Sequence, residues 1–184
     1  MIARLRRWRD LARDTRGVAL IEFAMVLPIL LILYLGSVQL QDGIACKRKV
    51  TIATRATADL IAQNASGSTT KSDVDNSLAA ATQVMAPYRS DRAVIRLTHI
   101  TIDNMMRVRI DWSRARNGLP ETPGTLSNIP LAMRVPGVSF IVAHVTYNYR
   151  PPANFGFVKP IALDDFLVML PRNSQTITCS DCNT

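Results

Sequence analysis

A chain of 184 residues with a formal net charge of +8 has room for one domain with its own core, and too little for two once an apolar span and a basic N-terminal stretch are set aside. The charge does not mark a nucleic-acid partner: the first 17 residues hold six Arg against two Asp, and without them 16 basic residues face 12 acidic ones, a net of +4. No Gly-rich phosphate loop, H-E-x-x-H or G-x-S-x-G is present, so neither catalysis nor a cofactor is expected.

Residues 1 to 16 read as a basic leader, with Leu5, Trp8 and Leu11 suited to a membrane surface. From Gly17 to Leu40 the chain is apolar except for Glu22, Tyr34, Ser37 and Gln39, long enough to cross a hydrocarbon core of roughly 30 Å as one helix. A cleaved secretory signal would have a shorter apolar region closed by a small-x-small site. Arg4, Arg6, Arg7, Arg9, Arg13 and Arg16 precede the span and outnumber Lys47, Arg48 and Lys49 beyond it. The positive-inside rule then keeps the N-terminus in the cytoplasm and exports the rest. Pro28 removes one backbone donor and crowds the carbonyl of Ala24, which predicts a kink.

Glu22 is the anomaly of this stretch. An ionised carboxylate within a span is costly unless paired, and no Lys or Arg lies between Val18 and Leu40. The cation must come from another chain, from a lipid head group, or from a new amino terminus. Cleavage after Gly17 would supply the last, making Val18 the first residue and Glu22 the fifth.

Beyond Gly43, a candidate hinge, Cys46, Val50, Ala53, Thr57 and Leu60 recur at three- and four-residue steps, so the helix is predicted to continue to about Gln63. Its small side chains, among them Thr51, Thr54, Ala56 and Ala58, suit close packing, either of the domain's own sheet or of other subunits. Asn64 to Thr70 is a loop by composition. The triplet Asn64-Ala65-Ser66 matches a glycosylation sequon, of a kind common by chance. A short helix is predicted from Asp73 to Met85, with Ser72 as N-cap, Asp73 and Asp75 in its first turn and Pro87 as its stop. Asp73 to Ser77 has calcium-loop spacing but lacks the required glycine and glutamate.

Three alternating runs predict strands. Ala93 to Ile102 and Met105 to Trp112 flank a turn at Asp103-Asn104. In the second run Met106, Val108, Ile110 and Trp112 should face one way and Arg107, Arg109 and Asp111 the other, with one face buried. Ser139 to Tyr149 is the strongest run. The Pro- and Gly-rich stretch from Ser113 to Gly137 is long for a loop, and is expected either to be functional or to hide a short element; Asn128 to Arg134 fits one helical turn, with Ile129, Leu131 and Met133 available for docking on the core or on a partner. After Pro151-Pro152, Phe155-Gly156-Phe157 is apolar and Phe166 to Leu170 is a candidate fourth strand. His99 and His144 lie in strand patterns with no spaced partner and read as ordinary sheet residues.

Cys46, Cys179 and Cys182 would lie in an oxidising compartment, where pairing is the default. Cys179-x-x-Cys182 has redox-motif spacing but does not open a helix. A structural disulfide within the pair, pairing of either with Cys46, and a zinc site lacking a nearby fourth ligand remain as alternatives.

The stretch Arg16-Gly17-Val18-Ala19-Leu20-Ile21-Glu22-Phe23 resembles the processing site of type IV pilins and pseudopilins, and most of all TadE-like minor pseudopilins of tight-adherence, Flp-type pili. Val135-Pro136-Gly137, Val145 to Pro151 and Leu170-Pro171-Arg172 look like further landmarks of that family. The resemblance implies an α+β, pilin-like fold, with a long N-terminal helix packed by its outer half on an antiparallel sheet of three or four strands. It divides the chain into a leader (1–17), a transmembrane helix (18–41) and a periplasmic domain (42–184), the last comprising a helical stalk (44–63), a sheet region (92–170) and a Cys-containing tail (171–184). It implies a non-enzymatic minor subunit needed for pilus assembly and adhesion, held in the bacterial inner membrane and cleaved after Gly17. The implied partners are a prepilin peptidase, other pilin or pseudopilin subunits, an inner-membrane assembly platform and membrane lipid, with no nucleic acid and no cofactor. The competing expectation is an uncleaved, signal-anchored periplasmic scaffold or binding protein.

Overall fold

The computed structural model describes residues 17–126, 129–151 and 159–182. The leader through Arg16, Asn128, and the run from Pro152 through Phe155-Gly156-Phe157 lie outside the described residues. One helix, α1, runs from Val18 to Ala62, and the described chain divides after Asp42 into two compact units.

The first unit is the apolar half of α1, with Pro28 inside the helix. Large apolar side chains are exposed all round it, including Leu20, Met25 and Ile32 at 71 to 73%. Ser37 Oγ donates to the Tyr34 carbonyl at 2.7 Å. Exposure on every side is the pattern of a helix made for an apolar surround rather than for one packed flank.

The second unit begins at Gly43, and the residues on either side of this glycine are assigned to α1. Space beside this glycine is taken by Tyr149, whose Cε1 lies 3.7 Å from the position a Cβ would occupy. From here one flank is buried: Cys46, Val50, Ala53, Thr54, Thr57, Ala58, Ile61 and Ala62. Leu60, expected inside, is exposed, and Ile61 takes its place. The buried hydroxyls of Thr54 and Thr57 donate to the carbonyls of Val50 (2.9 Å) and Ala53 (2.7 Å), which removes the cost of leaving them unpaired. The domain's own sheet lies against this flank, joined to it in a single core.

After a short strand, β1 (Ser68–Thr69), helix α2 spans Lys71–Gln83. Its cap is Thr70, two residues ahead of the expected Ser72. Thr70 is extended, its Oγ1 accepts from the Asp73 amide at 3.2 Å and donates to the Asp73 carboxylate at 2.8 Å, a reciprocal capping arrangement with Asp in the third helical position. Asp75 holds Arg114 through two nitrogens at 2.8 to 3.1 Å. The helix ends before Val84, ahead of the expected Met85.

Five antiparallel strands follow: β2 (Ala93–Ile102), β3 (Val108–Arg116), β4 (Gly124–Leu126), β5 (Ser139–Tyr149) and β6 (Ile161–Met169), in the order β4-β3-β2-β5-β6. The strand expected at Phe166 to Leu170 is longer, and β4 is the element concealed in the Pro- and Gly-rich stretch. The β2–β3 connection is wider than a two-residue turn at Asp103-Asn104. Asp103 Oδ1 accepts from the amides of Met105 and Arg107, and Met106 takes φ 59°, so β3 starts at Val108 rather than Met105.

A bulge in β3 overturns the expected division of its faces. His99 pairs with Trp112 and Ile100 with Ile110, leaving Asp111 as the extra residue. The alternation restarts across it. Trp112 therefore joins the main core with Ile95, Leu97 and Ile141 under the helices, while Val108 and Ile110 join Ile100, Ile102, Phe140 and Val142 in a second cluster. Ile129 covers that second cluster, so both faces are buried at this end of the sheet. Leu131–Met133 form a single 3-10 turn whose Leu131 stays exposed, so of the three apolar residues there only Ile129 docks fully.

Candidate functional site

The residues that the sequence singles out near the N-terminus fall on the first turns of α1. Gly17 immediately precedes the helix, and nothing lies within 4 Å of where a Cβ would sit. Val18 is its first residue. Glu22 lies four residues on, a rise of about 6 Å or just over one turn. Its carboxylate is exposed and makes no hydrogen bond or ion pair among the described residues. The first turn contains no acidic residue, and Glu22 in the second turn gains little from the helix dipole, which acts mainly over the first. Charge here is thus isolated on a helix long and apolar enough to cross a membrane.

In the second unit Cys179 and Cys182 are bonded, with Cα atoms 5.5 Å apart, and Cys46 carries a buried thiol. Asp181 sits beside the pair, but sulfurs bonded to each other are not thiolate ligands for a metal. The tail bearing this disulfide is tied to the domain at several points. Strand β7 (Thr178–Cys179) pairs in parallel with β1, the Asp181 carboxylate accepts from the Lys71 amide at 2.9 Å, and Ser139 Oγ donates to the Gln175 carbonyl at 2.6 Å. The Arg172 amide (2.8 Å) and the Asn173 side-chain amide (3.0 Å) donate to the carbonyls of Ala62 and Gln63 at the end of α1, supplying partners that a helix C-terminus otherwise lacks.

Sequence reasoning missed the arrangement around His99. Its ring is fully buried and stacks on Trp112, with centroids 5.7 Å apart and planes 8° from parallel. Nδ1 lies 2.8 Å from Asp111 Oδ2, and Nε2 lies 3.4 Å from the Ile177 amide. An amide can only donate, so Nε2 accepts and Nδ1 carries the proton that Asp111 receives. Trp112 Nε1 donates to the Ile177 carbonyl at 2.8 Å. The two stacked rings thus hold both backbone groups of one tail residue. Thr176 Oγ1 lies 3.3 Å from the same nitrogen, so the imidazole links the Asp111 carboxylate to the tail. Burial opposes ionisation of Asp111, and the hydrogen bonds from His99 and Thr101 outweigh it, holding the carboxyl below the usual carboxylate range. The bulge that brings Asp111 to His99 leaves no periodic signal. His144, by contrast, packs edge-on to Phe166 as a sheet residue.

Comparison with protein families gives a match to the model described as TadE-like protein, over residues 17–59. The resemblance seen in the N-terminal residues therefore holds over most of α1. No curated protein and no solved structure matches the chain.

Proposed function

We propose, from the TadE-like match as premise, that this chain is a minor pilin-like subunit of a tight-adherence pilus system, cleaved after Gly17 by a prepilin peptidase. The observation that carries the reading is Glu22, a carboxylate without a partner on a helix whose surroundings are otherwise apolar. Cleavage gives Val18 a charged amino group on the first turn. In an assembling bundle that group meets the Glu22 of a neighbouring subunit, and each charge relieves the other's desolvation in the bilayer. Only one axial offset brings the two together, so the pair also sets register between subunits. The arginines of the leader retain the N-terminus in the cytoplasm, and the domain from Gly43 onward is exported and serves as a structural, non-enzymatic module. Its partners are the peptidase, the other pilin or pseudopilin subunits and the inner-membrane assembly platform.

Two measurements test this. Mass spectrometry of the native protein should find a mature form beginning at Val18, and Gly17→Leu should leave precursor in the membrane, because the residue before the cut must fit a narrow site. An intact leader in the native protein favours instead an uncleaved, signal-anchored scaffold. Glu22→Gln should insert and be cleaved normally yet fail to co-purify with partner subunits. Wild-type pili in that variant rule out the pairing role.

A further inference from the structure

We infer that Lys47 closes the free edge of β6 and so keeps the sheet from pairing with the sheet of a second copy of this chain. Both elements lie within the unit from Gly43 onward, and the inference does not rest on the Glu22 reading. The sheet ends at β4 on one side and at β6 on the other. Strand β4 has three residues, too short to template much of a partner strand. Strand β6 has nine, with neither Pro nor Gly from Ile161 to Met169, and an edge of that length invites another strand unless something covers it.

The direction of its backbone groups follows from the ladder. The Ile102 amide donates to the Val138 carbonyl at 3.0 Å, and the Ile102 carbonyl accepts from the Gly137 amide at 2.9 Å, so the even-numbered residues of β5 turn their backbone groups toward β2. From there the register runs without a shift to Ala93 opposite Tyr147. Val145 therefore turns toward β6, where it faces Asp165, and alternation along β6 points the amides and carbonyls of Ala162, Asp164, Phe166 and Val168 out of the sheet. Of these the Asp164 carbonyl is occupied: Lys47 Nζ donates to it from α1 and lies 3.7 Å from the Asp165 carboxylate. The ammonium sits where the amide of an added strand would have to donate. Pairing would either evict it, leaving Asp165 without its cation, or bury it in the new ladder, and burying a charge is costly.

The strand that this guards against is β6 of a second copy, because β6 is compatible with itself in one antiparallel register. With Phe166 opposite Phe166 of the second copy, Asp164 faces Val168 and Asp165 faces Leu167, so no acid opposes an acid. Phe166, exposed in the single chain, would gain an aromatic neighbour. In that register each Asp164 carbonyl would accept from a Val168 amide. Those two carbonyls are the ones that Lys47 of each copy holds.

The test is hydrogen exchange of the full chain in detergent micelles over a range of protein concentrations, read by mass spectrometry with fragmentation that resolves single amides in β6. In the parent the amides of Ala162, Asp164, Phe166 and Val168 should exchange freely at every concentration, whatever association the apolar span produces. Lys47→Met keeps the side-chain stem and loses the ammonium. It should slow exchange of the Phe166 and Val168 amides as concentration rises, by about tenfold or more, since a symmetrical pair gains two carbonyl acceptors. Lys47→Ala should do the same and stands in if the Met variant misfolds. Lys47→Arg, which retains a charged donor, and Arg48→Met, which loses a charge at the next residue, should both behave as the parent. Slow exchange of those β6 amides in the parent, no concentration-dependent slowing in either Lys47 variant, or equal slowing in Arg48→Met would overturn the proposal.

Discussion

The two halves of α1 share a backbone conformation and little else. Up to Asp42 the helix shows large apolar side chains in every direction, and from Gly43 it buries only one flank, made largely of Ala, Thr and Val. The first half has the length and composition of a helix for an apolar medium, in which a backbone without water to bond has to satisfy its own polar groups. The second half is specified by a surface, the sheet of its own domain, which demands small residues at fixed steps. Substitutions should therefore read out differently in each: through transfer between media in the first half, through packing in the domain that includes the second.

The largest effect is expected where packing is densest. Trp112→Ala removes a buried indole together with its hydrogen bond to Ile177 and should destabilise the second unit by about 3–5 kcal/mol. Urea unfolding of the full chain in micelles, followed by circular dichroism, measures this. Leu30→Ala in the apolar half should leave that transition in place, and a comparable loss would show that the two regions unfold together. Next comes Leu30→Arg, which should leave the second unit folded but cost about 2.5–3.5 kcal/mol in membrane insertion. Alkaline extraction of membranes reports it, with the variant moving to the soluble fraction; full retention would break the assignment of this half to the bilayer.

The smallest effect sharpens the comparison inside the second unit. Asp111→Asn removes the charge that receives the His99 and Thr101 hydrogen bonds. Because the Asp111 side chain is a third exposed, roughly 1 kcal/mol is expected after solvent screening. The folded-state value for Asp111 is lowered. Its contribution is accordingly present above the ordinary carboxylate value of about 3.9 and fades as pH falls through the lower, folded one. The stability gap between parent and variant should therefore be constant near neutrality and close under acid. A gap that stays open there would mean that the Asp111 charge is not what stabilises the tail clamp.

Much of this molecule was legible as sequence, and the places where it was not have a common cause. Ser139 to Tyr149 was read with its observed bounds because alternation along a central strand records a buried face directly, and Ala93 to Ile102 was read equally well. Leu60 and Ile61 illustrate the limit: adjacent positions at the rim of a helical stripe are separated only by where the sheet lies. In the same way Thr70 displaced Ser72 as the cap because the choice depended on backbone direction entering α2, which neither residue type reveals.

Sequence by itself determined the apolar span, the isolation of Glu22 within it and the helix that continues beyond, because each follows from local composition and the spacing of side chains along one element. Tertiary structure decided which face Trp112 occupies, that Asp111 meets His99, and that the tail closes over both through Ile177. Those depend on a single extra residue in β3 and on a pairing between β1 and β7 more than a hundred residues apart, and contacts made by register and long-range closure have no periodicity to leave in the chain.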